Sequence, residues 1–197
     1  MIAEVLQAFV TLLVIMDPFV SLPVLISMTK GCPEKHRKAM ADRATLIAGI
    51  LMGIFYLFSL RLFDLMGITL PSFMVAGGII LMILGVQGAL GISFRQSRQI
   101  KDVHVAAVII GTPLITGPGT ITTIIVLVQQ QGYVITGIAG LLALTATWIV
   151  LRQANTLYKR LGERTIEVFS RIMGLLVTAI AIEFIFKGIR LMAFNLA

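Results

Sequence analysis

Ile15-Met16-Asp17-Pro18-Phe19-Val20-Ser21-Leu22-Pro23 aligns without a gap with Ile110-Gly111-Thr112-Pro113-Leu114-Ile115-Thr116-Gly117-Pro118, and this pair decides how the chain is read. Each carries Pro-x4-Pro, at Pro18/Pro23 and at Pro113/Pro118, displaced by 95 residues. Each lies within a long apolar run. Proline removes a backbone donor and clashes with the carbonyl four residues earlier. Two of them five residues apart predict a half-helix, a short unwound stretch and a second half-helix, in place of one continuous span. The competing reading is a pair of kinked but continuous helices.

Outward from these motifs, the composition sets the environment. The chain has 197 residues, 58% hydrophobic and 13% charged, with a mean hydropathy of +1.00. A soluble domain carries about 25% charged residues, so a soluble enzyme, a nucleic-acid reader and a disordered tail are poor readings. Runs such as GIILMILGVQGALG are continuous where a membrane β-barrel would alternate. The expected fold is an all-α membrane protein forming a single integral membrane domain over 1–197. The N-terminus lacks the basic region of a signal peptide, and its apolar run is expected to continue as a span.

Charged and turn-rich stretches mark six spans, at about 2–29, 43–63, 71–92, 105–128, 133–151 and 166–192, each near the roughly 20 residues that a crossing helix needs. The loops between spans one and two, three and four, and five and six share one side. They hold twelve basic residues: Lys30, Lys35, Arg37, Lys38, Arg43, Arg95, Arg98, Lys101, Arg152, Lys159, Arg160 and Arg164. The other side holds Arg61, Lys187 and Arg190, while Arg171 falls inside the sixth span. The excess of basic residues places those three loops in the cytoplasm and both termini outside. Splitting six spans into threes makes two inverted-topology repeats, about 1–95 and 96–197. Such repeats recur in secondary transporters. A shift of 96 pairs Phe73 with Phe169, Gly78 with Gly174 and Gln87 with Glu183.

Asp17 stands near the middle of the first span, where a carboxylate is costly and usually serves a pathway or site. It reads as a partner for a cation or ammonium, as a carboxyl that gains and loses a proton, or as a neutral cap on the broken helix. A half-helix N-terminus carries free N–H groups and about half a positive charge, a seat for a carboxylate. Gly117, Gly119 and Thr120 leave that backbone uncovered, and Thr116, Thr120 and Thr123 add hydroxyls. Ser21 is expected ahead of the second half of the first span. Glu183 and Gln87 are candidates for coupling-ion or gating roles, with a local Glu183–Lys187 pair as the plainer reading of Glu183. The pairs Gly49/Gly53, Gly77/Gly78 and Gly85/Gly88 read as close helix packing. Arg61 with Asp64 reads as an interfacial pair. His36, His104 and Cys32 read as solvated loop residues, so no catalytic residue, metal site or cofactor is expected. One cysteine also excludes an intrachain disulfide.

MDPFVSLP, PLITGPGTITT and RIMGLLVTAIAIEFIFKGIR resemble the MarC family of prokaryotic inner-membrane proteins, over nearly the whole chain. The family includes SnatA-type transporters of small neutral amino acids such as glycine and alanine. The resemblance implies a substrate site between discontinuous first and fourth spans. Asp17, Pro18 and Pro23 match the first motif, and Pro113, Gly117, Pro118, Gly119 and Thr120 the second. Gly-Asn is usual in the family where Val20 and Ser21 stand, and an amide where Glu183 stands. The resulting expectation is alternating-access transport of a small neutral amino acid in the inner membrane. Asp17, Ser21, Thr112, Thr116, Gly117, Gly119, Thr120 and Thr123 would line the site. A proton is the favoured coupling ion, with sodium the alternative. The rivals are an exporter of amino acids, other small metabolites or drugs, a passive channel, and a non-transporting membrane protein linked to antibiotic resistance. The lipid bilayer is an expected partner, and nucleic acid is not.

Overall fold

In the computed structural model the described residues are 2–29, 32–91 and 115–195. They form helices α1 (Ile2–Met16), α2 (Pro18–Met28), α3 (Glu34–Met66), α4 (Leu70–Ala89), α5 (Pro118–Arg152) and α6 (Ala154–Asn195). No strand occurs among the described residues. Among the described residues four stretches are long and apolar enough to cross a membrane: Glu34–Phe58, Leu70–Ala89, Gly119–Arg152 and Arg164–Ala193. The first expected span is divided into pieces of 15 and 11 residues, each shorter than the roughly 20 that a crossing needs. Of the fourth expected span, residues 105–114 lie outside the described residues, as do Lys30, Arg95, Arg98, Lys101 and His104.

Two glycines shape the second half of the chain. Gly132 interrupts α5 with φ 83° and ψ 170°, and Gly162 interrupts α6 with φ 76° and ψ 161°. A side chain at such positive φ is strained, and glycine is not. Beyond Gly132, α5 returns antiparallel along α3. Tyr56 donates to the Tyr133 carbonyl at 2.8 Å, Gly140 faces Met52 and Gly49 faces Leu144, and Trp148 reaches Asp42. The segments expected as loops around Glu34–Lys38 and Lys159–Arg164 are largely helical. Their charges mark where helices leave the apolar zone, which the sequence reading took as the ends of the helices themselves.

The interior combines large apolar side chains such as Leu12, Met16, Leu25, Met40 and Leu81 with small and hydroxyl-bearing residues, while other large apolar residues point outward. Ala8, Ala41, Ala44, Ala48, Ala139, Ala143 and Ala181 are fully buried. Leu46, Leu57, Leu141, Leu175 and Phe186 are more than 60% exposed. Lipid tails are as apolar as leucine, so helices in a bilayer associate through close van der Waals contact at small residues. The α4–α6 seam follows that rule. A Cβ on Gly78 would lie 2.9 Å from the Ala181 carbonyl, and one on Gly85 would lie 2.7 Å from the Thr178 nitrogen. One on Gly174 would run into the backbone of Gly85, Gly88 and Ala89. The pairs Gly78–Ala181 and Gly85–Gly174 make the two helices antiparallel.

Candidate functional site

The first helix breaks at a single residue. Asp17 has φ 37°, in the left-handed region that Asp tolerates better than most non-glycine residues. Its N–H still donates to the Leu13 carbonyl at 3.2 Å, and its own carbonyl accepts from the Ser21 N–H at 3.4 Å. Pro18 explains the position. A proline pushes the residue before it out of the right-handed helical region, while its own fixed φ suits the first turn of a new helix. The unwound stretch expected between Pro18 and Pro23 is therefore absent, and the interruption lies at Asp17. Ser21 and Pro23 belong to α2, and the buried Ser21 hydroxyl reaches back to the Asp17 carbonyl at 3.5 Å. Asp17 itself is half-buried.

The start of α5, at the second proline motif, is of another kind. Gly117 caps α5 in an extended conformation, φ −69° and ψ 175°, with no side-chain hydrogen bond to the helix end. Pro118 follows in the first turn. The first intrahelical bond found at this end runs from the Ile121 N–H to the Gly117 carbonyl at 3.1 Å. Helix geometry leaves the Gly119 and Thr120 N–H groups without an intrahelical acceptor. Thr120 donates to the Ile115 carbonyl at 2.8 Å, and Thr123 to the Gly119 carbonyl at 2.8 Å. Thr116 is 2% exposed, and its Oγ1 has no hydrogen-bond partner. A buried hydroxyl in that state costs free energy unless a ligand or water satisfies it.

Gly119 joins the two. A Cβ there would collide with Leu81 of α4 and lie 3.5 Å from Cγ2 of Ile15. Ile15 is two residues before Asp17, and Gly119 is two after Gly117, so the break in one helix lies beside the start of the other. Thr122, missed in the sequence reading, packs against Gly77. Its signal was present in the run Thr120-Ile121-Thr122-Thr123, which puts hydroxyls on more than one face of the helix.

The remaining candidates fall elsewhere. Thr112 and Pro113 lie outside the described residues. Glu183 is on the outward face of α6, paired with Lys187 at 3.4 Å with its side chain 61% exposed. Gln87 is half-buried near the end of α4, six residues from Leu81 and so about 9 Å along the helix. Arg171 pairs with Glu167 at 2.7 Å and lies against Gly91 just past the end of α4, where a cation complements the helix dipole. Two more buried hydroxyls without partners, Thr136 and Thr147, escaped the sequence reading. They are eleven residues apart in α5, a spacing that returns to one helix face.

Comparison with known proteins agrees with this picture of an integral membrane helix bundle. The family model described as MarC family integral membrane protein matches residues 2–193. A UPF0056 membrane protein of Methanocaldococcus jannaschii is 32% identical over 196 residues, covering 93% of this chain and 94% of its own. One from Aquifex aeolicus is 32% identical over 195 residues, with 93% and 91% covered. The UPF0056 inner membrane protein YhgN of Escherichia coli is 28% identical over 193 residues, with 95% and 97% covered. No solved structure matches the chain.

Proposed function

As the chain belongs to the MarC family of integral membrane proteins, we propose that it is a secondary transporter of small neutral amino acids, and not an enzyme. The observation that carries this reading is the proximity of the Asp17 break to the start of α5, through Gly119 and Ile15. The end of α1 presents carbonyls and the Asp17 carboxylate, and the start of α5 presents N–H groups and the Thr116 hydroxyl. Their charges are opposite, and a zwitterion has matching ends. The ammonium faces Asp17, and the carboxylate faces Gly117–Thr120. Leu81 and Ile15 cover Gly119 and Thr122 covers Gly77, so these two glycines serve helix packing and the preference for glycine and alanine rests on the family resemblance.

Inverted repeats support alternating access. Under the shift of 96, Gly78 exchanges with Gly174 and Gly85 with Ala181, so the contact Gly78–Ala181 turns into Gly85–Gly174. This exchange of contacts supports reading the two halves as inverted repeats related by an axis in the membrane plane. In this reading the repeats rock about that seam, and the discontinuous first and fourth spans hold the substrate. The basic ends of α3, α5 and α6 face the cytoplasm, in an inner membrane like that in the name of the E. coli relative. One intramembrane carboxyl, Asp17, suffices to carry a coupling proton.

The test is uptake of labelled glycine and alanine into proteoliposomes, with and without an inward proton gradient. Uptake that rises with the gradient is expected, and its absence under proton and sodium gradients alike would remove the transporter reading. Orientation has its own check at the half-exposed Cys32. An impermeant thiol reagent should leave it unlabelled in intact cells and label it in inverted vesicles.

A further inference from the structure

Asp42, Trp148 and Arg152 form a cluster that amino-acid transport does not use. The Trp148 indole N–H donates to Asp42 Oδ1 at 2.7 Å, and Arg152 Nη1 donates to the same oxygen at 3.2 Å. The guanidinium also lies 4.9 Å above the Trp148 ring. Both donors use Oδ1, so Oδ2 lies outside these two bonds. From this cluster a groove of about 440 Å³ runs between α3 and α5, lined by Thr45, Leu46, Gly49, Ile50 and Leu144. Leu46 is 63% exposed and Ile50 56%, so the groove opens on the apolar outer face of the bundle. Gly49 lets Leu144 pack closely against α3 at the floor of the groove, since a Cβ there would approach Leu144 Cδ2 to 2.9 Å.

We propose that this groove holds one phospholipid with a primary-ammonium headgroup of the ethanolamine type. The acyl chain lies along Leu46, Gly49, Ile50 and Leu144. The ammonium donates to Asp42, and the phosphate accepts from Arg152. Tryptophan and arginine near the end of a span suit the membrane–water interface, where both headgroup charges reside. The three residues also discriminate. A choline headgroup has no N–H to give Asp42, and Arg152 already covers the indole face that would otherwise attract a quaternary ammonium. A glycerol headgroup brings the phosphate charge without a cation for Asp42. The source is the bilayer, because the groove beyond the cluster has apolar walls and opens sideways.

Native mass spectrometry of the intact protein tests this, using equal mixtures of ethanolamine, choline and glycerol phospholipids with identical chains. One retained lipid is expected, with ethanolamine enriched about fivefold over the others, as one charge-assisted hydrogen bond supplies. Asp42→Asn should abolish the enrichment. Trp148→Phe, which keeps the ring beside Arg152, should weaken it. Gly49→Val should lose the lipid while the cluster remains intact. Equal retention of the three headgroups, preference for the glycerol headgroup, or an unchanged preference in Asp42→Asn would each overturn the proposal. So would displacement of the lipid by millimolar O-phosphoethanolamine, which would make the site a headgroup pocket only. The proposal is independent of amino-acid transport, and each can fail without the other.

Discussion

The break at Asp17 and the helix start at Gly117 differ in backbone geometry and in the groups they expose. At Asp17 one residue leaves the helix, and the chain re-enters it at Pro18. At the other, a glycine in extended conformation caps a helix that has no side-chain cap. The first places the Asp17 carboxylate between the end of α1 and the start of α2, at the negative end of one helix dipole and the positive end of the next. The second begins a helix with bare N–H groups and a buried hydroxyl lacking a partner. Where they are described, the two proline motifs thus differ in geometry, and the difference is what a zwitterionic ligand would use. A symmetric pair of breaks would offer two seats of the same sign.

The largest effect should come from removing the charge without removing the turn. Asparagine also tolerates positive φ, so Asp17→Asn should fold, with transport down about a hundredfold, equal to roughly 2.7 kcal/mol. Asp17→Gly should do the same with an eased backbone. Normal transport by either variant would reduce Asp17 to a structural cap.

Next in size is the seam that holds α4 beneath Gly119. A methyl at Gly174 meets backbone atoms of Gly85, Gly88 and Ala89, and overpacking of this kind costs about 1–3 kcal/mol. Gly174→Ala should therefore lower the melting temperature clearly. At Gly140 the nearest atom is Met52 Cε at 3.7 Å, so Gly140→Ala should stay within about 0.5 kcal/mol of wild type. Equal effects would mean the seam is not close-packed.

The threonines of the second interruption should then separate. Thr120→Val loses the bond to the Ile115 carbonyl and should destabilise the protein by about 1 kcal/mol. Thr116→Val loses no bond in the protein and should leave stability unchanged or improved while weakening glycine affinity. The same affinity in both variants would deny Thr116 a ligand role. Smallest of all, Glu183→Gln breaks an exposed pair worth about 0–1 kcal/mol and should leave transport unchanged.

Much of this was legible in the sequence. Continuous apolar runs between charged stretches announced helices, and the prolines pointed to the break at Asp17 and to the helix start at Pro118 within a few residues. Asp17 stood out because nothing else in its surroundings was charged. The exact point of the first break was harder, since it turns on which of two prolines finds a helix start it can occupy. Pro18 does, and its constraint falls on Asp17. The pairing of Asp42 with Trp148 joins residues 106 apart, and no local pattern signals such a contact. Glu183 and Gln87 looked alike as polar residues in apolar helices. Only the packing of α4 on α6 decides that Glu183 faces outward with Lys187 and that Gln87 stands a turn or more from Leu81.

The central claim is that the two interruptions grip opposite ends of one zwitterion. Exchange of trapped labelled glycine from proteoliposomes, driven by external glycine, glycinamide or acetate, tests it most directly. Glycine should drive rapid exchange, while glycinamide, lacking the carboxylate, and acetate, lacking the ammonium, should drive none. Exchange by glycinamide or acetate as fast as by glycine, or no exchange with glycine itself, would contradict the account.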